Sequence, residues 1–343
     1  MSEDLFIDDR DKRILELVSK LKLLNMAEIA RSVKVSKETI RRRIRRLTKF
    51  LQICISPNYE ALGLTPAILI LKQPSRSDLK LLDSIYLCAK EKMYQGGEVY
   101  WLLLYFFPSK HLEKLQNMVL SHIPESELFI GRRMHPEPDF SCYDLKNNTW
   151  RLDWRKIGDQ IREGTGSLNF NPIRKWKVDI KDLHIIRELE RDGLKSIAKI
   201  ARYINVNPRA LLYHFHKHVV NMVEGYRIKF KSTATGNLLP MYIKMKFYTL
   251  DAAAAFINVF KKIPLMDEIF ISKKDISVVT RLLLPDNRNL IEAYRFFEEM
   301  ISEDILQTID LMCVVDEEKS IWRGFPPPEK TFNNGWILEE KFL

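Results

Sequence analysis

The 343-residue sequence has four cysteines, and their arrangement excludes the usual metal and disulfide frameworks. Cys54, Cys88, Cys142 and Cys313 form no C-x-x-C pair and lie near no histidine pair, which argues against a cysteine-based zinc site. Scattered thiols of this kind are typical of a reducing compartment, so we expect a cytoplasmic protein with free cysteines.

Long apolar segments are also missing. The longest apolar run, residues 99–107, is far too short to span a bilayer, and the acidic first ten residues lack the apolar core of a secretion signal. Glycine is scarce, at 12 residues, whereas 46% of the residues are hydrophobic and 10% are aromatic. The sequence therefore predicts a soluble, well-packed globular protein that is not secreted and has no membrane partner.

Positive charge is in excess. The formal net charge is +10 at pH 7, which favours a polyanionic partner. Total charge does not distinguish nucleic acid from an acidic membrane or an acidic protein, so the distribution of the cations must decide.

One pattern occurs twice in the same register. Residues 7–51 align with residues 178–222 without a gap, at an offset of about half the chain length. The matching positions include Asp8/Asp179, Asp11/Asp182, Ile14/Ile185, Ala27/Ala198, Ile29/Ile200, Ala30/Ala201, Arg31/Arg202 and Val35/Val206. Both copies have the helix spacing and short turn of a helix-turn-helix, so the sequence predicts a duplicated unit with two DNA-reading elements.

The third helix of the first copy, predicted over residues 37–49, is the most specific signal. Ser36 is a good N-cap, and Ile40, Ile44 and Leu47 form a narrow inward stripe. The outward face has seven cations and one carboxylate. The cations repel one another, and the phosphates of a nucleic acid bound against this face would relieve that repulsion. We predict base contacts from Ser36, Lys37, Glu38, Thr39 and Arg42, and phosphate contacts from Arg41, Arg43, Arg45, Arg46 and Lys49. A solvated basic face without a partner is the alternative.

The second copy is less cationic. Asn207 is the predicted N-cap, Pro208 takes the first helical position, and the candidate DNA contacts are Asn207, Arg209, Tyr213, His214 and Lys217. Weaker DNA binding, a different target sequence and a packing surface all remain open. Three alternate histidines, His214, His216 and His218, raise the alternative of a metal site, but no third ligand is apparent, so we expect neither metal nor cofactor.

After each helix-turn-helix, the pattern predicts a short wing strand, at residues 51–55 and 223–229, and then a βαββαβ sheet. In the first half we expect strand 67–72, helix 77–92, a hairpin to residue 107, helix 110–122 and strand 127–134. In the second half we expect strand 241–247, helix 252–262, strands 268–272 and 276–284 joined by a turn at 273–275, helix 290–300 and strand 306–315. The aromatic residues Tyr100, Trp101, Tyr105, Phe106 and Phe107 fit sheet core or a subunit interface better than a base-stacking platform.

The predicted fold class is therefore α+β, with two winged helix-turn-helix domains each followed by a ferredoxin-like βαββαβ domain. A tryptophan-rich extension containing Trp150, Trp154 and Trp176 is expected to wrap over a sheet face, with residues 164–167 as a flexible joint. The predicted boundaries are 1–58 and 178–231 for the winged helix-turn-helix domains, 64–139 and 238–318 for the ferredoxin-like domains, 140–177 for the extension and 319–343 for a C-terminal extension.

This order of elements resembles the Lrp/AsnC family of feast/famine transcriptional regulators, found in bacteria and very commonly in archaea. The resemblance lies in the opening helix at residues 7–15, in Ala27-Glu28-Ile29-Ala30, in the arginine-rich helix at residues 39–47 and, more loosely, in residues 197–201 and Gly225-Tyr226. It implies double-stranded DNA as a partner, with dimerisation through the sheet domains, either between two chains or within one. It also implies a small-molecule effector at the sheet interface, although the residues of such a pocket are not identifiable here.

We therefore expect a sequence-specific DNA-binding transcriptional regulator in which the first helix-turn-helix dominates, and no enzymatic activity. One alternative is a scaffold or transcription cofactor that binds another protein through its sheets. A second alternative is a siroheme decarboxylase-like enzyme, since those enzymes resemble the same fold. Their activity looks to depend on histidine, arginine and tyrosine around the sheet hairpin, whereas residues 94–107 and 268–284 contain no histidine.

Overall fold

The computed structural model describes residues 6–147, 149–164, 166–168, 176–231, 238–272 and 274–342. The helices are α1 (Asp9–Lys20), α2 (Met26–Val33), α3 (Lys37–Leu47), α4 (Arg76–Leu81), α5 (Leu112–His122), α6 (Trp154–Glu163), α7 (Ile180–Arg191), α8 (Ile197–Tyr203), α9 (Pro208–Lys217), α10 (Leu250–Phe260), α11 (Asn287–Ser302) and α12 (Pro328–Thr331). The strands are β1 (Leu51–Pro57), β2 (Leu64–Lys72), β3 (Leu87–Gln95), β4 (Glu98–Pro108), β5 (Glu127–Ile130), β6 (Arg132–Arg133), β7 (Tyr143–Asp144), β8 (Thr149–Trp150), β9 (Val223–Phe230), β10 (Leu239–Phe247), β11 (Met266–Ser272), β12 (Ser277–Leu284) and β13 (Leu306–Trp322).

The chain forms two compact units, each assembled from three separate segments. Unit 1 comprises Met1–Cys54, Arg133–Phe170 and Gly225–Met312, and unit 2 comprises Ile55–Arg132, Asn171–Glu224 and Cys313–Leu343. The first helix-turn-helix therefore shares a unit with the second βαββαβ segment, and the second helix-turn-helix shares one with the first. The division of the chain into six continuous segments, made from the sequence, stays a prediction.

Unit 1 begins with the three helices α1 to α3. Asp8 accepts a hydrogen bond from the backbone N–H of Asp11, and Asp11 accepts one from the backbone N–H of Asp8, so a capping box starts α1. Asn25 caps α2, and Lys34 ends it in the left-handed conformation at φ 57°. Ile14, Ile29 and Ile40 are buried and join the three helices in one core. In this unit, the Lys231 N–H just after β9 donates to the Phe50 carbonyl just before β1 at 2.9 Å, so these ends of the two expected wing strands lie together.

The sheet of unit 1 has the ferredoxin-like order β13, β10, β12, β11, and α10 and α11 provide the two helices of the βαββαβ chain order. The register pairs Ile243 with Thr280 and Phe270 with Val279, both antiparallel. Burial of Phe256, Phe260, Phe296 and Phe297 fills the helical side of this core. The predicted elements of the second half are confirmed, except that β13 extends to Trp322 and Lys273 of the expected hairpin turn lies outside the described residues.

A buried charge cluster also belongs to unit 1. Arg133 binds the carboxylate of Glu268 with two hydrogen bonds, at 2.8 and 3.0 Å, and Arg227 on β9 donates to it at 2.8 Å. Burial by itself would raise the pKa of Glu268, but Arg133 and Lys229 hold it below its usual range. The ionised carboxylate thereby links β9 to β11.

The tryptophan-rich extension packs differently from expectation. The ring of Trp154, at the start of α6, lies 5.2 Å from that of Phe296 on α11 and 6.5 Å from that of Phe260 on α10. Helix α6 of the extension therefore covers α10 and α11, which already occupy the face of the sheet beneath them. Gly164 ends α6, and Thr165 of the predicted flexible joint lies outside the described residues.

The sheet of unit 2 has the same order, β5, β2, β4, β3, with residues 314–322 of β13 beside β3. The predicted helix over residues 77–92 is wrong beyond Leu81, where α4 ends and β3 follows. Leucine, lysine and glutamate in this stretch favour a helix locally, but pairing of β3 with β4 overrides that preference. Tyr105, Phe106 and Phe107 are fully buried, which confirms their assignment to the sheet core.

The second set of helices, α7 to α9, completes unit 2. Asp179 and Asp182 form a capping box like that of α1, and Asn207 caps α9 ahead of Pro208. Near the other end of α7, Glu190 accepts hydrogen bonds from the Tyr59 hydroxyl and the Phe325 N–H. The Tyr59 ring stacks on Phe106 with centroids 3.5 Å apart, so these contacts tie α7 to the sheet core of unit 2. Among the described residues of the whole chain, no helix is both long and apolar enough to cross a bilayer.

Candidate nucleic-acid interface

The inward side of α3 is fixed by its cap and its apolar stripe. The Ser36 hydroxyl accepts a hydrogen bond from the Thr39 N–H at 3.1 Å, as an N-cap should, and also contacts the Thr39 hydroxyl at 2.9 Å. Ile40, Ile44 and Leu47 are buried. Because these three residues share one stripe, the opposite side of α3 faces solvent, and there Lys37, Glu38, Arg41, Arg42 and Arg45 are exposed.

Five cations of α3 are exposed: Lys37, Arg41, Arg42, Arg45 and Lys49, the last just beyond the helix end. Arg41 lies 3.5 Å from Glu38 in a solvent-exposed pair, which contributes little to stability. Within the part of the chain that the structure describes, neither Arg42 nor Arg45 has an ion-pair partner. This face is strongly positive and uncompensated at its centre.

Two further cations extend this face. Arg31 near the end of α2 and Lys34 in the turn are exposed, and with Lys37 they line one open depression beside the start of α3. The left-handed backbone at Lys34 turns the chain between the two helices. The sequence motif located this turn, but the candidate set drawn from α3 alone omitted Arg31 and Lys34.

Arg43 and Arg46 depart from the predicted outward set. Arg43 Nη1 donates to Asp8 at 2.7 Å and to Asp11 at 2.9 Å, and Arg46 donates to Asp11 and to the Phe6 carbonyl. Burial by itself would lower the pKa of Arg43, but its hydrogen bonds to the two aspartates raise it. In the same way, Arg43 holds the pKa of Asp8 below its usual range against the opposing effect of burial. Both arginines join α3 to α1, so the structure places them in internal ion pairs rather than on an open phosphate-binding face.

The second reading helix, α9, has fewer charges. Asn207 accepts from the Arg209 N–H at 2.8 Å and so acts as the cap, while Arg209, Tyr213 and Lys217 are exposed. His214 faces inward, because its Nδ1 lies 2.9 Å from a carboxylate oxygen of Asp182. Of the five candidates on this helix, His214 is thus engaged inside unit 2.

Asp182 is the third potential metal ligand that was not apparent from the spacing of the histidines. His218 Nδ1 lies 3.2 Å from each carboxylate oxygen of Asp182, so two imidazoles and one carboxylate converge, whereas His216 is exposed. The repeat register contained the signal: Asp182 aligns with Asp11 and His214 with Arg43, the two residues that pair in the first helix-turn-helix. The contact between Asp11 and Arg43, transferred to the second copy, predicts a contact between Asp182 and His214. Asp182 is thereby identified as the third group beside the two histidines.

Comparison with known proteins agrees with this geometry at the amino end. Residues 7–49 match a family model described as winged helix-turn-helix DNA-binding. A search of curated proteins finds no match to the chain.

Solved structures show looser likenesses. The siroheme decarboxylase NirDL is similar over 90% of this chain and 91% of its own, with a TM-score of 0.44 and 14% identity. AsnC from E. coli is similar over 44% of this chain and 100% of its own (TM-score 0.31, 15% identity), and LrpC from B. subtilis over 37% and 93% (TM-score 0.27, 21% identity). The chain has the α+β class, and its amino-terminal segment is a winged helix-turn-helix of the DNA-binding type.

Proposed function

We propose that this protein is a sequence-specific DNA-binding transcriptional regulator that reads double-stranded DNA with two helix-turn-helix units, the first being dominant. The observation that supports this proposal is the exposed cationic face of α3, extended by Arg31 and Lys34. Cations one helical turn apart, such as Arg41 and Arg45, repel each other on an isolated helix. Phosphates on either side of a DNA groove relieve that repulsion and release counterions on binding.

The roles of the residues follow from their positions on α3. Lys37, Glu38 and Arg42, with the cap residues Ser36 and Thr39, lie on its first two turns, the part of a recognition helix that contacts base edges. Arg41, Arg45 and Lys49, with Arg31 and Lys34, take the phosphate contacts. Arg43 and Arg46 act as positioning residues that hold α3 against α1.

Other partners and activities are secondary proposals. Self-association through the sheet domains accompanies DNA binding, as the resemblance to Lrp/AsnC regulators implies. We also propose that the protein is not a decarboxylase, since β3, β4, β11 and β12 contain no histidine. A porphyrin carboxylate incubated with the protein should therefore remain unchanged.

The test compares two double variants of equal charge. Duplexes are first selected from a random DNA pool by the unmodified protein, and binding is then measured for Arg42→Ala/Arg45→Ala and for Arg288→Ala/Arg295→Ala. The second pair removes two exposed cations from α11 and controls for net charge. We expect the α3 variant to bind at least about tenfold more weakly, because it loses one base contact and one phosphate contact.

Salt dependence supplies a second readout. With about five phosphate-neutralising cations, the slope of log affinity against log salt concentration should be about −4 to −5 for the unmodified protein. The slope should become shallower by about one in the α3 variant and stay the same in the α11 variant. A flat salt dependence, or equal losses in both variants, would reject the proposed interface.

A further inference from the structure

We propose that Asp182, His214 and His218 form a binding site for one divalent transition-metal ion, with the nitrogen and oxygen preference of zinc. The site lies inside unit 2, between the first turn of α7 and the end of α9. The proposal is independent of DNA binding, since its three residues are not needed for the cationic face of α3.

The geometry brings three donor groups together. One possible ligand atom from each of the three side chains lies within 4.8 Å of the others. The two imidazole rings are nearly perpendicular, at 89°, with centroids 5.2 Å apart, so they approach the carboxylate from different directions. Two ligand atoms about 2.1 Å from a tetrahedral zinc ion are about 3.4 Å apart. The observed nitrogen–oxygen distances of 2.9 and 3.2 Å are therefore a few tenths of an ångström from those of a metal-bound cluster.

Comparison with the first helix-turn-helix shows what is unusual here. There Asp11 is held by Arg43 and Arg46, whose guanidinium groups are permanently charged and have no lone pair for a metal. In the second, the position of Arg43 holds His214, and the position of buried Leu47 holds His218. A hydrogen-bonded ion pair and an apolar core residue are thus replaced by two groups that bind metal when neutral.

Burial and access also fit a metal site. The Asp182 side chain is fully buried, and its second oxygen accepts a hydrogen bond from the Asp179 N–H at 2.9 Å, which orients the carboxylate as metal sites require. The side chain of His218 is 35% exposed, so an ion can enter from solvent. Three protein ligands leave a fourth position for water, and binding would clamp α9 to α7.

The experiment uses the full-length chain freed of metal with a chelator. Zn²⁺ is titrated calorimetrically, and Co²⁺ is used as an absorbing substitute that reports coordination by nitrogen and oxygen. We expect one ion per chain at this site. Because metal binds the folded state, the thermal midpoint should rise by about 5–10 °C when Zn²⁺ is present at a hundred times its Kd.

Three variants locate the site. His218→Leu introduces the residue found at position 47, and His214→Arg recreates the pairing of Arg43 with Asp11, so both are expected to fold without metal. Each should weaken Zn²⁺ binding by at least about a hundredfold and abolish the thermal shift, since loss of even an outer-shell partner costs 10–100-fold. His216→Ala, which removes an exposed histidine from the same helix, should bind normally.

The outcomes are distinct. Absence of Zn²⁺ binding by the unmodified chain, or equal binding by His218→Leu and the unmodified chain, overturns the site. Equal thermal shifts in all four proteins would assign the ion to other groups, such as the cysteines, and would also overturn it.

Discussion

At the residue scale, buried carboxylates determine which charged side chains face outward. Asp11 is fully buried, so each cation that neutralises it must turn inward, and Arg43 and Arg46 both do. An unpaired charge at such a position would be strongly destabilising. The outward face of α3 is positive because its other cations are not used to neutralise Asp11 and stay exposed.

A pH effect follows from His135 in unit 1. Burial lowers the pKa of His135 from 6.5 to about 4, its Nδ1 has no hydrogen-bond partner in the described structure, and its Nε2 lies 3.4 Å from the Ser19 carbonyl oxygen. Between pH 6.5 and 4 the unfolded chain takes up a proton that the folded chain does not. The contribution of His135 to stability is therefore complete above pH 6.5 and is lost as the pH falls, by about 3 kcal/mol at pH 4.

Substitution His135→Gln should remove this part of the pH dependence. The measurement is the free energy of urea unfolding across that range, compared with the unmodified protein and with His216→Ala, whose imidazole is exposed. Parallel pH profiles for His135→Gln and the unmodified protein would show that the ring does not resist protonation in the folded state.

At the scale of elements, close approach of β9 to α1 depends on a glycine. A Cβ atom at Gly225 would lie 2.6 Å from His135 Nε2 and 2.9 Å from the Ser19 carbonyl oxygen. Backbone cannot move aside as a flexible side chain can, so the strand would have to shift away from the helix. Gly225 thus sets the distance at which β9 packs on the helix-turn-helix of unit 1.

We expect Gly225→Ala to destabilise the protein by about 1–3 kcal/mol, the usual cost of overpacking. Gly335→Ala is the matched control, because nothing lies within 4 Å of the added methyl group. Urea unfolding of both variants tests this, and similar stabilities for the two would contradict the close packing of β9 on α1.

At the scale of the whole molecule, the excess of positive charge is unevenly distributed. The net charge is +10, and five exposed cations belong to α3, whereas α9 exposes Arg209 and Lys217. Phosphate neutralisation scales with the number of cations that reach the backbone. Binding free energy should therefore come mainly from the first helix-turn-helix.

Replacing Arg209 and Lys217 with alanine should weaken binding to the selected duplex by no more than about fivefold and change the salt slope by less than about one, the change expected for the α3 variant. The measurement is the same titration used for the α3 variants. If this pair mattered as much as Arg42 and Arg45, the two helix-turn-helix units would contribute equally and the asymmetric model would be wrong.

The sequence by itself determined the elements whose signals are local. Asp8, Ser36 and Asn207 marked helix starts, and Ile40, Ile44 and Leu47 marked the inward face of α3, because capping and the 3.6-residue period act within a few residues. The same local signals misplaced residues 82–92, where a helix-favouring composition continues past the end of α4 and into β3.

Tertiary structure decided which distant groups meet. It placed the first helix-turn-helix in one unit with the second βαββαβ segment, directed Arg43 and Arg46 to Asp11, and brought Asp182 to His214 and His218. The two halves have similar hydrophobic patterns, so either helix set could pack on either sheet as far as periodicity is concerned. That choice depends on side-chain packing and on pairing of buried charges, which no local pattern encodes.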